Sequence, residues 1–249
     1  MSGHSKWSTI KRQKEATDKE RGKIFSKLGR AITLAAKAGG IDPEGNFKLR
    51  LAVEKAHEAN MPKDNVDRAI KKASGGEGGS VIEEIIYEGY GPCGIAVIVE
   101  AATDNKNRTA AEIKNVFERA GGSLVGPGAV SFQFKTAGLI TVEKQEDIDN
   151  QILTLIDLGV EDVIEAEDGI EVYTKPDHFG EIRDKIQSLN YKIVTSELTR
   201  QAINETTLLE KEKAGKVLHF MNTLEELEDV QKVYANFDIP QEILGLVNV

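Results

Sequence analysis

Apolar residues in the first third of the chain recur at helical spacing, and beyond the glycines near residue 80 the period shortens to two. Ile24, Leu28, Ala31, Ile32 and Ala35 fall three and four apart. That spacing predicts an amphipathic helix over 23–38, with Lys23, Lys27, Arg30 and Lys37 outside its apolar stripe and Gly39–Gly40 as its stop. Asp42-Pro43-Glu44 reads as an N-cap, a proline at N1 and an acidic first turn. The helix it opens would bury Phe47, Leu51, Val53 and Ala56. A third helix follows Asn60-Met61-Pro62, with Val66, Ala69, Ile70 and Ala73 inward. Lys71 and Lys72 lie in its last turn, where cations suit the helix dipole. The stretch SGGEGGS at 74–80 reads as a linker.

Past that linker, VIEEIIYE (81–88) and GIAVIVEA (94–101) read as strands joined by GYGPCG. A helix is expected from Asn107 to Ala120, with Ala111, Ile113, Val116 and Phe117 apolar, and VSFQF at 130–134 as the next strand. Residues 138–200 then spell strand, helix, hairpin, helix, strand, with Asp168-Gly169 at the hairpin turn. That is the order of a ferredoxin-like domain. Residues 216–235 read as helical, and this late helix would complete the earlier strands. The expected fold is therefore α+β: an N-terminal three-helix domain (1–77), an α/β domain (78–134 plus 203–249), and a ferredoxin-like domain (135–202) inserted into it.

Charge changes the picture more than composition does. The net charge is −9, yet residues 1–75 carry a balance of +8 and the remainder −17. A polyanion is attracted to one end of such a chain and repelled by the rest, which points to a nucleic-acid-binding arm. Lys6, Lys11, Arg12, Lys14, Lys19, Arg21, Lys23, Lys27 and Arg30 are opposed within the first thirty residues only by Glu15, Asp18 and Glu20. These lysines and arginines are the candidate phosphate contacts. Trp7 is the candidate for stacking on an unpaired base. The bland alternative is a solvated terminus that serves solubility. Residues 1–20 are expected to be poorly ordered or helical only on contact.

The polar cluster from Asp104 to Thr109 follows a strand and opens a helix, a place where backbone amides bind anions. Lys106 and Arg108 are secondary candidates there, against a simpler reading in which Asn107 caps the helix and Asp104 makes an Asx-turn. The inserted domain offers Tyr173 as its one strand aromatic, and residues 135–200 carry a balance of −8. Such a surface suits a basic protein partner better than RNA. No run is long enough to span a membrane, no apolar leader opens the chain, and Cys93 is the single cysteine. A cytoplasmic protein without a membrane role is expected. Neither a nucleophile elbow, a phosphate-binding loop nor a zinc-ligand pair is present. The chain reads as a non-enzyme, with no catalytic residue, metal or cofactor.

The opening GHSKWSTIKRQKEATDKERGKIFSKLGR resembles the N-terminus of the YebC/PmpR family. NMPKDNVDRAIKKA, YEGYGPCGIAVIVEAATDNKNRTAAEIKNVF and VSFQF carry the same resemblance, while the loop GGSLVGPGAVSF departs from it where an asparagine and more acid are expected. The resemblance implies three domains, the third inserted into the second, and a cytoplasmic regulator usually labelled a probable DNA-binding transcriptional regulatory protein. It also implies kinship with a mitochondrial translational activator of cytochrome oxidase and with members that relieve ribosomal stalling at proline runs. Three readings stay open at this point. They are a DNA-binding transcriptional regulator, a ribosome-associated translation factor with its arm on ribosomal RNA and its acidic domains near basic ribosomal proteins, and a protein-interaction scaffold.

Overall fold

The computed structural model describes residues 18–73, 82–166 and 169–247, with side chains from residue 21 onward. Lys6, Trp7, Lys11, Arg12 and Lys14, the glycines of 74–80 and Asp168 lie outside the described residues, as does the side chain of Lys19. In chain order the elements are α1 (Asp18–Gly39), α2 (Phe47–Glu58), α3 (Lys63–Ala73), β1 (Glu83–Tyr90), β2 (Ala96–Thr103), α4 (Lys106–Arg119) and β3 (Ser123–Val125). Then follow β4 (Phe134–Val142), α5 (Ile148–Ile156), β5 (Asp162–Glu165), β6 (Ile170–Thr174), α6 (Phe179–Ser188) and β7 (Ile193–Ala202). The chain closes with β8 (Thr206–Thr207), α7 (Lys211–Glu226), β9 (Val230–Ala235), β10 (Phe237–Asp238) and α8 (Gln241–Leu244). The fold is α+β, with three N-terminal helices followed by two sheet-containing regions. By contact, residues 132–206 with 236–238 form a smaller compact unit, and the remaining described residues form a larger one.

In the larger unit, α1–α3 close over Ile32, Ala36, Leu49, Ala56, Met61, Val66 and Ala69. The second helix starts later than its sequence suggests. Asp42 accepts a hydrogen bond from the Glu44 amide and makes a turn, while Asn46 is the cap. An asparagine can do what an aspartate cannot: its Oδ1 accepts from the Leu49 amide, and its Nδ2 donates to the carbonyls of Ala35 and Gly40. One buried side chain thus starts α2 and satisfies the end of α1.

The first sheet runs β3-β1-β2-β9, so its fourth strand arrives after the smaller unit has been threaded. Two expectations need correcting here. Residues 216–235 are not one helix: α7 ends at Glu226, Leu227 turns extended, and Val230–Ala235 pairs antiparallel with β2. The β-branched and aromatic residues Val230, Val233 and Tyr234 suit that strand. VSFQF is not a strand throughout either. Ser131–Gln133 is a short helical turn, and β3 lies earlier. The cause is Glu88 on β1, which is buried and accepts hydrogen bonds from the amides of Gly128 (2.7 Å), Val130 (2.7 Å) and Ser131 (2.9 Å). Burial works to raise the Glu88 carboxyl, but these amides outweigh it and hold the group below its ordinary value. The divergent GPGAVS loop is thereby folded around one carboxylate. α7 completes this layer, and Phe220 meets Phe117 of α4 edge to face at 5.0 Å.

The smaller unit has the sheet order β5-β6-β4-β7, all neighbours antiparallel, which is the ferredoxin-like arrangement. Gly138, Ile140, Val142, Val172 and Thr174 point to the face where α6 packs, because a Cβ at Gly138 would strike the Phe179 ring and the Thr174 hydroxyl. Gly138→Ala is therefore expected to overpack this layer at a cost of about 1–3 kcal/mol. Thermal melting checks it: a variant melting at the wild-type temperature would show that the layer yields to a methyl group.

Candidate nucleic-acid interface

Lys23, Lys27 and Arg30 stand four and three residues apart and share one stripe of α1. Lys23 and Arg21 are exposed, whereas Lys27 and Arg30 are half-buried. Lys27 Nζ donates to the Glu225 carbonyl at 2.5 Å, and Arg30 donates to the Glu228 carbonyl at 2.7 Å and to its carboxylate at 2.9 Å. Both cations therefore meet the C-terminal end of α7, where unpaired carbonyls gather partial negative charge. Two of the expected phosphate contacts serve as internal ties between α1 and the α7–β9 connection.

The secondary pair is likewise engaged within the chain. Asn105, rather than Asn107, caps α4 by accepting from the Arg108 amide, and the preceding turn is made by the Thr103 hydroxyl rather than by Asp104. Lys106 pairs with Glu83, whose carboxyl it pulls below the ordinary value by hydrogen bond and by charge. Arg108 bridges Asp104 (3.0 Å) and Asp229 (2.7 Å). Its guanidinium holds its proton more firmly than usual, first through the hydrogen bond to Asp229.

Asp229 is where Arg30 and Arg108 meet. It sits just before β9 with 2% of its surface exposed. One carboxylate oxygen accepts from Thr103 (2.9 Å), Thr109 (2.6 Å) and Arg108 (2.7 Å), and the other lies 2.6 Å from Arg30. Its backbone carbonyl accepts from the Ala102 amide. Burial works to raise this carboxyl, yet the hydrogen bonds from Arg108, Thr109 and Thr103 and the charge of Arg30 hold it below its ordinary value. The sequence offered no signal for this residue, because its partners lie about 120 to 200 positions away.

A second feature missed by sequence reasoning is the flank of α3. Asn65, Arg68 and Lys72, at i, i+3 and i+7, line a cleft of about 400 Å³ whose other wall is Phe25, Ser26 and Gly29 of α1. Arg68, Lys71 and Lys72 are exposed. Arg68 is oriented by the Asp64 carbonyl and the Asn65 side chain. In the sequence, Lys72 had a sufficient explanation as a partner of the helix dipole, and that masked its position on a groove. In the smaller unit, Tyr173 stands on the sheet face opposite the helices, where a base-stacking platform would be. Its ring is 2% exposed and its hydroxyl donates to Glu171 at 2.9 Å, so it offers no free face to a base.

Asp229→Asn keeps the shape but removes the buried charge shared by Arg30 and Arg108, leaving each only its more exposed partner, Glu228 or Asp104, and is expected to cost about 2–3 kcal/mol of unfolding free energy. Because the Asp229 carboxyl is depressed in the folded state, its contribution is present at neutral pH and lost as pH falls below about 4. Denaturant titrations between pH 3 and 7 check both points. The gap between wild type and variant should close at the acid end, and a gap independent of pH would reject the role given to this carboxylate.

Residues 5–76 match the TACO1/YebC protein N-terminal domain, and residues 82–237 match the TACO1/YebC second and third domain. A probable transcriptional regulatory protein of Geotalea uraniireducens is 49% identical over 243 residues, 97% of this chain and 98% of that one. Another of that description, from Trichlorobacter lovleyi, is 48% identical over 240 residues, 96% of each chain. The crystal structure of a conserved hypothetical protein from Aquifex aeolicus superposes with a TM-score of 0.84 at 44% identity, covering 93% of this chain and 96% of that one. No helix among the described residues is long and apolar enough to cross a membrane. The family models together span nearly the whole chain, and the chain belongs to the TACO1/YebC family.

Proposed function

We propose that this protein is a cytoplasmic, non-enzymatic regulator of gene expression that binds nucleic acid through its N-terminal 77 residues. The observation that carries this reading is the segregation of charge, +8 over residues 1–75 and −17 over the rest. Solubility alone gives no reason to sort charge in this way. The name carried by the Geotalea and Trichlorobacter relatives, probable transcriptional regulatory protein, supports the same class of function. In this reading Lys6, Lys11, Arg12, Lys14 and Lys19 take phosphates, Trp7 stacks, and Arg21 and Lys23 continue the basic track. Arg68 and Lys72 add a second set of contacts along the α1–α3 cleft, and the exposed Lys71 lies next to them on α3. Lys27, Arg30, Lys106 and Arg108 position the elements that carry these contacts. The acidic regions, 78–134 with 203–249 and the inserted 135–202, are left for protein partners.

Phosphate contacts position a protein on nucleic acid without reading sequence. A second reading follows from the acidic bulk: a ribosome-associated factor, its basic end on ribosomal RNA and its acidic regions against basic ribosomal proteins. A balance of −17 favours so mixed a surface over bare duplex.

Arg68→Glu with Lys72→Glu tests the cleft. Each phosphate contact adds about 0.7–0.9 to the log–log salt slope, so the pair should lower that slope by about 1.5 and weaken binding at physiological salt. Fluorescence anisotropy on duplex DNA, scrambled duplex and ribosomal RNA fragments reads this directly. An unchanged slope on all three would remove the cleft from the interface. Wild-type protein that binds none of them would reject the proposed function.

A further inference from the structure

The cleft between α1 and α3 is mixed in character. Arg68 and Lys72 line it from α3, whereas Asp104 and Glu228 line it from the connections before α4 and β9. Its apolar lining includes Phe25, half-buried, and Met61, buried, both of which also pack in the helical core. Gly29 lines the same space and lies four residues from Phe25 on one face of α1. A glycine inside a 22-residue helix weakens it, so its presence calls for a reason. Crowding is not the reason. A Cβ at Gly29 would meet one atom, the Met61 Cε at 3.9 Å, which is ordinary contact. Backbone shape is not the reason either, since Gly29 is helical and is not among the glycines with positive φ. What the missing side chain does is leave the cleft open beside Phe25 and Met61.

We propose that this cleft takes one unpaired nucleotide, with its phosphate on Arg68 and Lys72 and its base against Phe25 and Met61. The inference rests on the nucleic-acid function proposed above and names the part of the nucleic acid that enters the cleft. Charge favours a base there over a continued run of backbone. A second phosphate inside the cleft would meet the carboxylates of Glu228 and Asp104. A base edge is suited to them, because its amino groups donate to carboxylates. Size points the same way. A volume of about 400 Å³ lies near the lower end of ligand clefts, which hold about 300–1,000 Å³, and so admits a nucleotide but not a duplex. An aromatic ring and a thioether are surfaces on which any base packs. Arg68 is pre-oriented on the rim by the Asp64 carbonyl and the Asn65 Oδ1, so little of its freedom is lost on binding. A paired base must first leave its stack to reach the cleft, whereas a bulged one is already free.

Fluorescence anisotropy with the full-length protein compares a plain duplex, the same duplex with one bulged adenine, and the same bulge made abasic, each as DNA and as RNA. The abasic bulge keeps the backbone and its flexibility and removes only the base. Wild type should bind the adenine bulge about tenfold more tightly than either of the others, the scale of one stacked base. A gain confined to DNA or to RNA identifies the source of the nucleotide. Gly29→Leu fills the cleft from α1. Its Cβ has room and leucine favours a helix, so this variant should melt at or above the wild-type temperature. It should keep the wild-type affinity and salt slope on plain duplex and lose the gain at the adenine bulge. Phe25→Leu, which keeps an apolar side chain without a ring, should lose most of that gain as well. An abasic bulge bound as tightly as the adenine bulge, or a gain that survives Gly29→Leu, overturns the proposal. Equal binding of plain and bulged duplex overturns it too and leaves the proposed function standing. Failure to bind any of these probes rejects that function, and the inference with it.

Discussion

The Asp229 carboxylate joins α1, β2 and α4 of the larger unit at one point. It takes charge from Arg30 of α1 and Arg108 of α4, and hydroxyl protons from Thr103 at the end of β2 and Thr109 in the first turn of α4. Its own backbone joins the end of β2 at Ala102. A carboxylate with so little exposed surface is tolerable only because several donors face it, and these four donors come from three elements, α1, β2 and α4. Moving any one of those elements leaves an unpaired charge in a poorly hydrated place. The orientation of α1 on the sheet is therefore fixed by an electrostatic condition more strictly than apolar packing alone would fix it.

That condition explains which parts of the structure were legible in the sequence. The three helices, the first two strands and the ferredoxin-like order are written in local periodicity, and each needs only its own apolar positions to form. Asn46 and Asn105 were overlooked as caps because nearby Asp42 and Asn107 satisfy the same local rule. For Asn46 the choice is made by what its second functional atom reaches, the carbonyls of Ala35 and Gly40. β9 was misread as helix because VQKVYA is ambiguous until β2 offers a free edge, and that edge lies more than a hundred residues upstream. Glu88 shows the same limit. Nothing near it in sequence announces that its carboxylate will organise residues 128–131.

Charge was legible in amount but not in use. Lys27, Arg30 and Arg108 look like free cations on paper, as Lys23 and Lys72 do. Only the fold sorts them, by placing the end of α7 and Asp229 beside the first group and a solvent-filled cleft beside Lys72. Sequence separation hides ion pairs more effectively than it hides hydrophobic contacts, since a cation carries no periodic signature of its partner.

The sorting has a consequence for any polyanion that approaches. A carboxylate held in the same chain competes with an incoming phosphate at an effective concentration of about millimolar or higher, and here it is also pre-oriented. Displacing it from Arg30 or Arg108 would leave Asp229 buried without its counter-charges, a cost that surface lysines do not impose. Under the proposed function, a polyanion would be disfavoured at the guanidinium groups that hold the fold and favoured at exposed cations such as Lys23 and Lys72. Exposed pairs are individually weak and screened by salt, so a contact built from them is reversible. Asp229 and Glu83 each pair with a cation of this chain, and burial makes the first a structural tie while exposure leaves the second weak.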